Sequence, residues 1–389
     1  MSSKVINYGR HSINKNDIAS VLKTLKSDFI TQGPEVKKFE ENVKRKVGAA
    51  YALAVNSATS ALHLSCLALG IKKNDIVWIS ANGFVATSNC ALYCQAKINF
   101  IDVDKNTGNI SLEILKKKLE NTKKKYLPKV LITVHFGGQP TQQDQIYKLS
   151  KKYGFKILED ASHSIGATYK NYKSGNCRWS DITVFSFHPV KIITTAEGGM
   201  CLTNNQKYYK KITLLRTHGI NKDISPKLKK LSPWLYQQIH LGFNYRMSDI
   251  HASLGNSQIK RLDKFIEKRK LIAKRYDNFF SNIKSFEQLT ILNEASSSYH
   301  LYVVKLKNTI IRRNFYNFMK KNKVNLNIHY TSIEQHPYYK NLNIKKSDIS
   351  NWIDISARMI SLPIFFDLSN VKQKKVILLI KKFIKQNNL

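Results

Sequence analysis

Acidic residues are scarce in this chain. It has 26 Asp and Glu against 64 Lys and Arg in 389 residues, a formal charge of +38. Cysteine is sparse and odd in number: Cys66, Cys90, Cys94, Cys177 and Cys201. They form no CxxC pair, and no Cys/His cluster has zinc spacing, so a reduced interior without a metal site is expected. No apolar run approaches membrane-spanning length, and the opening MSSKVINYGR carries no apolar signal core. A cytoplasmic protein with no membrane partner is therefore expected. Neither GxGxxG nor GxxxxGKS/T occurs, which removes direct support for dinucleotide or Walker-type phosphate binding.

The basic excess is open to three readings. It could be an electrostatic footprint for nucleic acid. It could be a solvated surface in a chain that uses Lys, Asn and Ile heavily. It could also help attract an anionic small substrate such as a nucleotide diphosphate. The basic residues are scattered over predicted helix faces, which favours the solvated surface, and no nucleic-acid partner is expected.

What is present is enough apolar side chain, 42% of residues, for a sizeable core. The length exceeds one ordinary domain. INKNDIASVLKTLKSD spaces Ile13, Ile18, Val21, Leu22 and Leu25 as an amphipathic helix would, and Gly33-Pro34 opens a second helix ending near Gly48. YALAV (51–55) reads as a buried strand followed at once by the helical NSATSALHLSCLALG. That junction is either plain capping by Ser57 or Thr59, or an anion site at a helix N-terminus, where Ala58 and Thr59 allow close approach.

Strands DIVWIS, INFIDV, PKVLITVHF and FKILED then alternate with helices. This pattern predicts an α/β fold with a mostly parallel sheet, whose ligands gather at the carboxyl ends of the strands. Asp160 stands at one such end. Residues 220–241, with Pro226 and Pro233, read as an exposed excursion. A long amphipathic helix is predicted over about 249–280, N-capped by Ser248. The domain change is placed along it: 1–250 forms the large domain, and 251–389 a smaller α+β domain.

FSFHPVKIITTAEGG (185–199) sets Lys191 between an aromatic strand and a double-glycine turn. The residues alone leave two readings. Lys191 is a solvated surface lysine, or its pKa is lowered by burial and it serves as a Schiff-base nucleophile.

EDASHS, then FSFHPVKIITTAEGGM, with NSATSALH upstream, together resemble the PLP-dependent nucleotide-sugar aminotransferases of the DegT/DnrJ type, within fold type I. SDFITQGP, GFVATSN, GFNYRMSDI, HYTSIEQHPYY and SLPIF extend the resemblance over nearly the whole chain in order. It implies a large PLP-binding domain with a smaller C-terminal domain. It implies that Lys191 carries pyridoxal 5'-phosphate as a Schiff base and shuttles the proton, with pyridoxamine phosphate as the intermediate form. Asp160 then pairs with the pyridine nitrogen, so that the ring serves as an electron sink. His163 matches a position near the ring hydroxyl, although a locally bonded core histidine is equally open.

Ser186, Ala58 and Thr59 match the phosphate cradle, and Phe84 the aromatic stacked on the ring. Asn244 matches a residue reaching the neighbouring subunit's phosphate, which implies a homodimer with shared active sites. For Arg246 a structural ion pair is expected. His329 and Tyr330 fall where family members approach the sugar nucleotide. The wording is most similar to the pseudaminic-acid branch, which implies glutamate as donor and C4 of a UDP-linked 4-keto-6-deoxy-N-acetylhexosamine as acceptor. Another nucleotide-linked 4-ketosugar is the alternative. Sugar dehydratases of this scaffold replace the lysine by histidine, and Lys191 argues against that chemistry.

Overall fold

The computed structural model describes residues 5–221, 230, 232, 234–342 and 348–389. Its central sheet holds β1 (Tyr51–Val55), β2 (Ile76–Ser80), β3 (Lys97–Ile101), β4 (Val130–Val134), β5 (Lys156–Asp160), β6 (Ile182–Ser186) and β7 (Gly199–Thr203). The spatial order is β1-β7-β6-β5-β4-β2-β3. Pairings from β3 through β6 are parallel, and β7 runs antiparallel to both of its neighbours. Residues of β4 and β6 are buried throughout, as expected where helices cover both faces.

Helices α1 (Lys15–Leu25), α2 (Pro34–Val47), α3 (Ala58–Ala68), α4 (Val85–Tyr93), α5 (Leu112–Glu120), α6 (Gln143–Tyr153) and α7 (Gln206–Arg216) accompany this sheet. Gly48 and Gly154 close α2 and α6 in the left-handed conformation, with φ of 80° and 79°. Gly33 offers α2 no side-chain cap. Instead the buried carboxylate of Asp249 accepts from the amides of Gly33 and Glu35, each at 2.8 Å.

The long helix is divided. Asp249–Gln258 (α8) and Leu262–Phe280 (α9) are separated by a 3-10 turn at Ile259–Arg261. Ser248 caps α8 through the amide of His251, as its position predicted. Beyond α9 an antiparallel sheet orders β8 (Phe286–Gln288), β9 (Tyr302–Leu306) and β10 (Met359–Leu362). It shares a core with α9 and the last helix, Asn370–Gln386. The first described residues cross to this sheet side: Ile6 bridges Val324, and the amide of Ile364 donates to the carbonyl of Tyr8.

Helix α1 inverts the usual sense of its pattern. It buries Asp17 and Thr24, with Asp17 paired to Arg261 and Gln258. Its apolar stripe faces outward, with Ile18, Leu22 and Leu25 60%, 48% and 53% exposed. Within 220–241, Ile220–Asn221 pairs with Gln237–Gln238. Pro226 and Pro233 lie outside the described residues.

Candidate active site

The carboxyl ends of β5 and β6 open onto a cavity of about 450 Å³, closed from the other side by Tyr8, His300 and residues 327–330. Asp160 ends β5, and each of its carboxylate oxygens accepts a hydroxyl hydrogen bond. Thr87 donates to Oδ2 at 2.7 Å, and the hydroxyl of Ser162 donates to Oδ1 at 2.5 Å. These two hydrogen bonds, one to each oxygen, fix the direction of the carboxylate.

Lys191 sits in the loop between β6 and β7, and its shape follows from local bonds. The amide of Lys191 donates to the His188 carbonyl at 2.9 Å, and that of Thr195 to Phe187 at 3.0 Å. Burial lowers the Lys191 amine to about 8, against the opposing pull of the Asp160 carboxylate. An amine so lowered is neutral in far larger part near neutral pH than an ordinary lysine, as a nucleophile or base needs.

The double glycine has a steric cause. A Cβ on Gly199 would meet Ala58 N and the Ser57 carbonyl at 2.5 Å, so β7 can approach the start of α3 only without a side chain. At that start, Ser57 Oγ accepts from Ser60 N at 3.1 Å. Capping by Ser57 is therefore present, and it leaves the amides of Ala58 and Thr59 without a partner among the described residues. Both residues line the cavity with Ser186, the last residue of β6.

His163 is buried in the wall, and Tyr330 hydroxyl lies 3.0 Å from its Nε2. Burial, and then Lys191, hold this imidazole well below its ordinary range. Burial, then Asp160, raises the Tyr330 phenol, so the phenol stays protonated and donates. His163 Nδ1 has no partner in the protein, a buried polar atom left for a ligand or water. The Phe84 ring is 5.3 Å from that of Tyr330. His329 contacts Ser361 Oγ through Nδ1 at 2.9 Å and Asn327 Nδ2 through Nε2 at 3.2 Å. Burial, then Lys191, brings it to about 3, so it is neutral.

Nine of the ten residues expected at the site, all except Asn244, line this one cavity. Asn244, expected to reach a neighbouring subunit's site, is exposed, and its backbone bridges Thr217. The ion pair expected for Arg246 is not found among the described residues. That residue bridges Val55 through its backbone. Thr87, Ser162, Tyr8 and His300 were not singled out from the sequence, although Thr87 lies within GFVATSN and Ser162 within EDASHS.

An amine of lowered pKa, a fixed carboxylate and an unpartnered helix N-terminus around one cavity define a site for a phosphorylated aldehyde cofactor. Residues 11–381 match the model of the DegT/DnrJ/EryC1/StrS aminotransferase family, and the chain belongs to that family. It is 39% identical over 342 residues to a Campylobacter jejuni protein named UDP-4-amino-4,6-dideoxy-N-acetyl-beta-L-altrosamine transaminase, covering 87% of each chain. Among solved structures it resembles Helicobacter pylori PseC, an aminotransferase involved in the biosynthesis of pseudoaminic acid. The TM-score is 0.90 at 29% identity, covering 98% of this chain and 100% of that one. The PLP form of the sugar aminotransferase Spr1654 from Streptococcus pneumoniae aligns with a TM-score of 0.89 at 27% identity, covering 98% and 99%. Its PMP form gives the same score.

Proposed function

We propose that this enzyme moves an amino group from L-glutamate to C4 of a UDP-linked 4-keto-6-deoxy-N-acetylhexosamine, using pyridoxal 5'-phosphate. The observation that carries the reading is the Lys191 amine, at about 8, in one cavity with the doubly bonded Asp160 carboxylate. The altrosamine transaminases of Campylobacter and the pseudoaminic-acid enzyme of Helicobacter support the choice of sugar.

The residues present fit the cofactor. The free amides of Ala58 and Thr59 with Ser186 would take its phosphate, and Asp160 its pyridine nitrogen. Lys191 would take its aldehyde carbon. Phe84 would cover its ring, and His163 would lie at its hydroxyl. When bound, the cofactor supplies a carbonyl that accepts the amino group and a ring that holds the electron pair left by a departing proton. Lys191 Nζ removes the α-proton of glutamate in the first half-reaction, and in the second it delivers a proton to C4 of the sugar. Asp160, fixed by Thr87 and Ser162, would face the ring nitrogen of the bound cofactor. His329 and Tyr330 border the sugar.

We take the working unit to be a homodimer. Asn244 is exposed and stands outside its own cavity, free to reach a partner's phosphate, and the outward stripe of α1 is apolar surface for that partner to cover. The domains are taken as 1–250 and 251–389, with residues 5–8 crossing to the second. Five free thiols fit a cytoplasmic setting, and no described helix is long and apolar enough to cross a membrane. The test is incubation with glutamate and a panel of UDP-, dTDP- and GDP-linked 4-ketosugars, with NMR of the product. A 4-amino sugar from the UDP-linked N-acetylhexosamine is expected, and turnover only of dTDP- or GDP-linked sugars would refute the assignment.

A further inference from the structure

Cys66, Cys90 and Cys94 lie together where α3 packs on α4. Cys66 Sγ is 3.6 Å from Cys90 Sγ. Cys94, just past the end of α4, interacts with Cys66 and with His63 one turn earlier on α3. Cys66 and Cys90 are fully buried, whereas Cys94 retains 8% exposure. Cys66 is the largest influence on the Cys94 thiol, and with His63 it draws that thiol down to about 6 against the push of burial. Cys177 and Cys201 differ, since burial raises each to about 12. The cluster connects to the cofactor end of α4. The Cys90 thiol donates to the Thr87 carbonyl at 3.2 Å, and the Thr87 hydroxyl donates to Asp160.

We propose that Cys66, Cys90 and Cys94 form an oxidisable site that reacts with hydrogen peroxide and closes a Cys66–Cys90 disulfide. The Cys94 thiolate attacks one peroxide oxygen. An S–O bond forms, the O–O bond breaks, and the second oxygen leaves as water after taking a proton. Cys66 then attacks the Cys94 sulfenic sulfur, and the hydroxyl departs as water with the Cys66 proton. Cys90 next attacks Cys66, its proton passing to Cys94, the better leaving group. In sum two thiols lose two hydrogens and one peroxide becomes two waters. Closure brings the sulfurs from 3.6 Å to about 2.05 Å and removes the S–H that holds the Thr87 carbonyl.

The test treats the native protein with hydrogen peroxide, blocks remaining thiols with iodoacetamide under denaturing conditions, and maps peptides by mass spectrometry. The expected product joins the Cys66 and Cys90 peptides, two hydrogens lighter than their sum, and dithiothreitol reverses it. Cys177 and Cys201 should be recovered alkylated. In the wild-type protein, dimedone present during oxidation should mark Cys94. Cys94→Ser should slow the cross-link by about tenfold or more, since a buried unactivated thiol must then react first. Absence of the Cys66–Cys90 product in the wild-type protein would overturn the proposal. So would dimedone on Cys177 or Cys201 in place of Cys94, or an unchanged rate in Cys94→Ser. None of these readouts uses transaminase activity.

Discussion

The hydroxyl of Thr87, in the first turn of α4, donates to Oδ2 of Asp160 at the end of β5 at 2.7 Å. A helix that follows β2 thus fixes the carboxylate presented by β5, and with Ser162 it makes Asp160 a rigid acceptor. Thr87→Val keeps the shape and removes the donor. Loss of one charge-assisted hydrogen bond to a buried carboxylate corresponds to about 1.5–3 kcal/mol. In steady-state kinetics kcat/KM should fall about tenfold to a hundredfold with the circular dichroism spectrum unchanged, and wild-type kinetics would show that Asp160 needs no such support.

The pH dependence of cofactor uptake follows from Lys191. Its amine, at about 8 against an ordinary 10.5, is protonated and unreactive well below pH 8 and neutral well above it. The buried imidazoles of His163 and His329 are already neutral there and add no step. Stopped-flow absorbance on apoenzyme should give an uptake rate that rises through about pH 8 and then levels. A rate still climbing at pH 10 would mean an unshifted lysine.

Gly199→Ala tests the contact between β7 and the start of α3. The added Cβ meets only backbone, at 2.5 Å, so relief requires the strand and helix to part. Overpacking of this kind costs about 1–3 kcal/mol. Equilibrium dialysis should show weaker retention of pyridoxal 5'-phosphate together with a lowered melting temperature. Unchanged retention would separate the glycine from the phosphate cradle.

The shared-site reading predicts complementation. Lys191→Ala and Asn244→Ala proteins should each have little activity. A mixture, unfolded and refolded together, forms some dimers with one site holding both native residues. Activity of the mixture should exceed the sum of the separate proteins several-fold. Simple additivity would place Asn244 outside the partner's site.

Which parts of this were legible in the sequence has a physical pattern. Asp160 was readable because ligands of a parallel sheet gather at its strand ends, whereas Lys191 and Ser186 took their roles from the family resemblance, and the fold brings all three to one cavity. Thr87 and Ser162 were not readable, because a hydroxyl near a motif gives no sign of which carboxylate it serves. The period of α1 showed which residues share a face. It could not show that Asp17, bound to Arg261 and Gln258, would turn the polar face inward. The 3-10 turn at Ile259–Arg261 left no mark either, since the apolar spacing runs straight across it. Arg246 was given an ion pair by default, yet none is found among the described residues, and its backbone bridges Val55.

The central claim is that Lys191 alone carries the cofactor. Holoenzyme reduced with borohydride and digested should yield a single pyridoxyl-phosphate adduct, on the peptide containing Lys191, and Lys191→Ala protein should bind the cofactor yet yield no adduct. An adduct on another lysine of the wild-type protein, or one that persists in Lys191→Ala, would contradict the account.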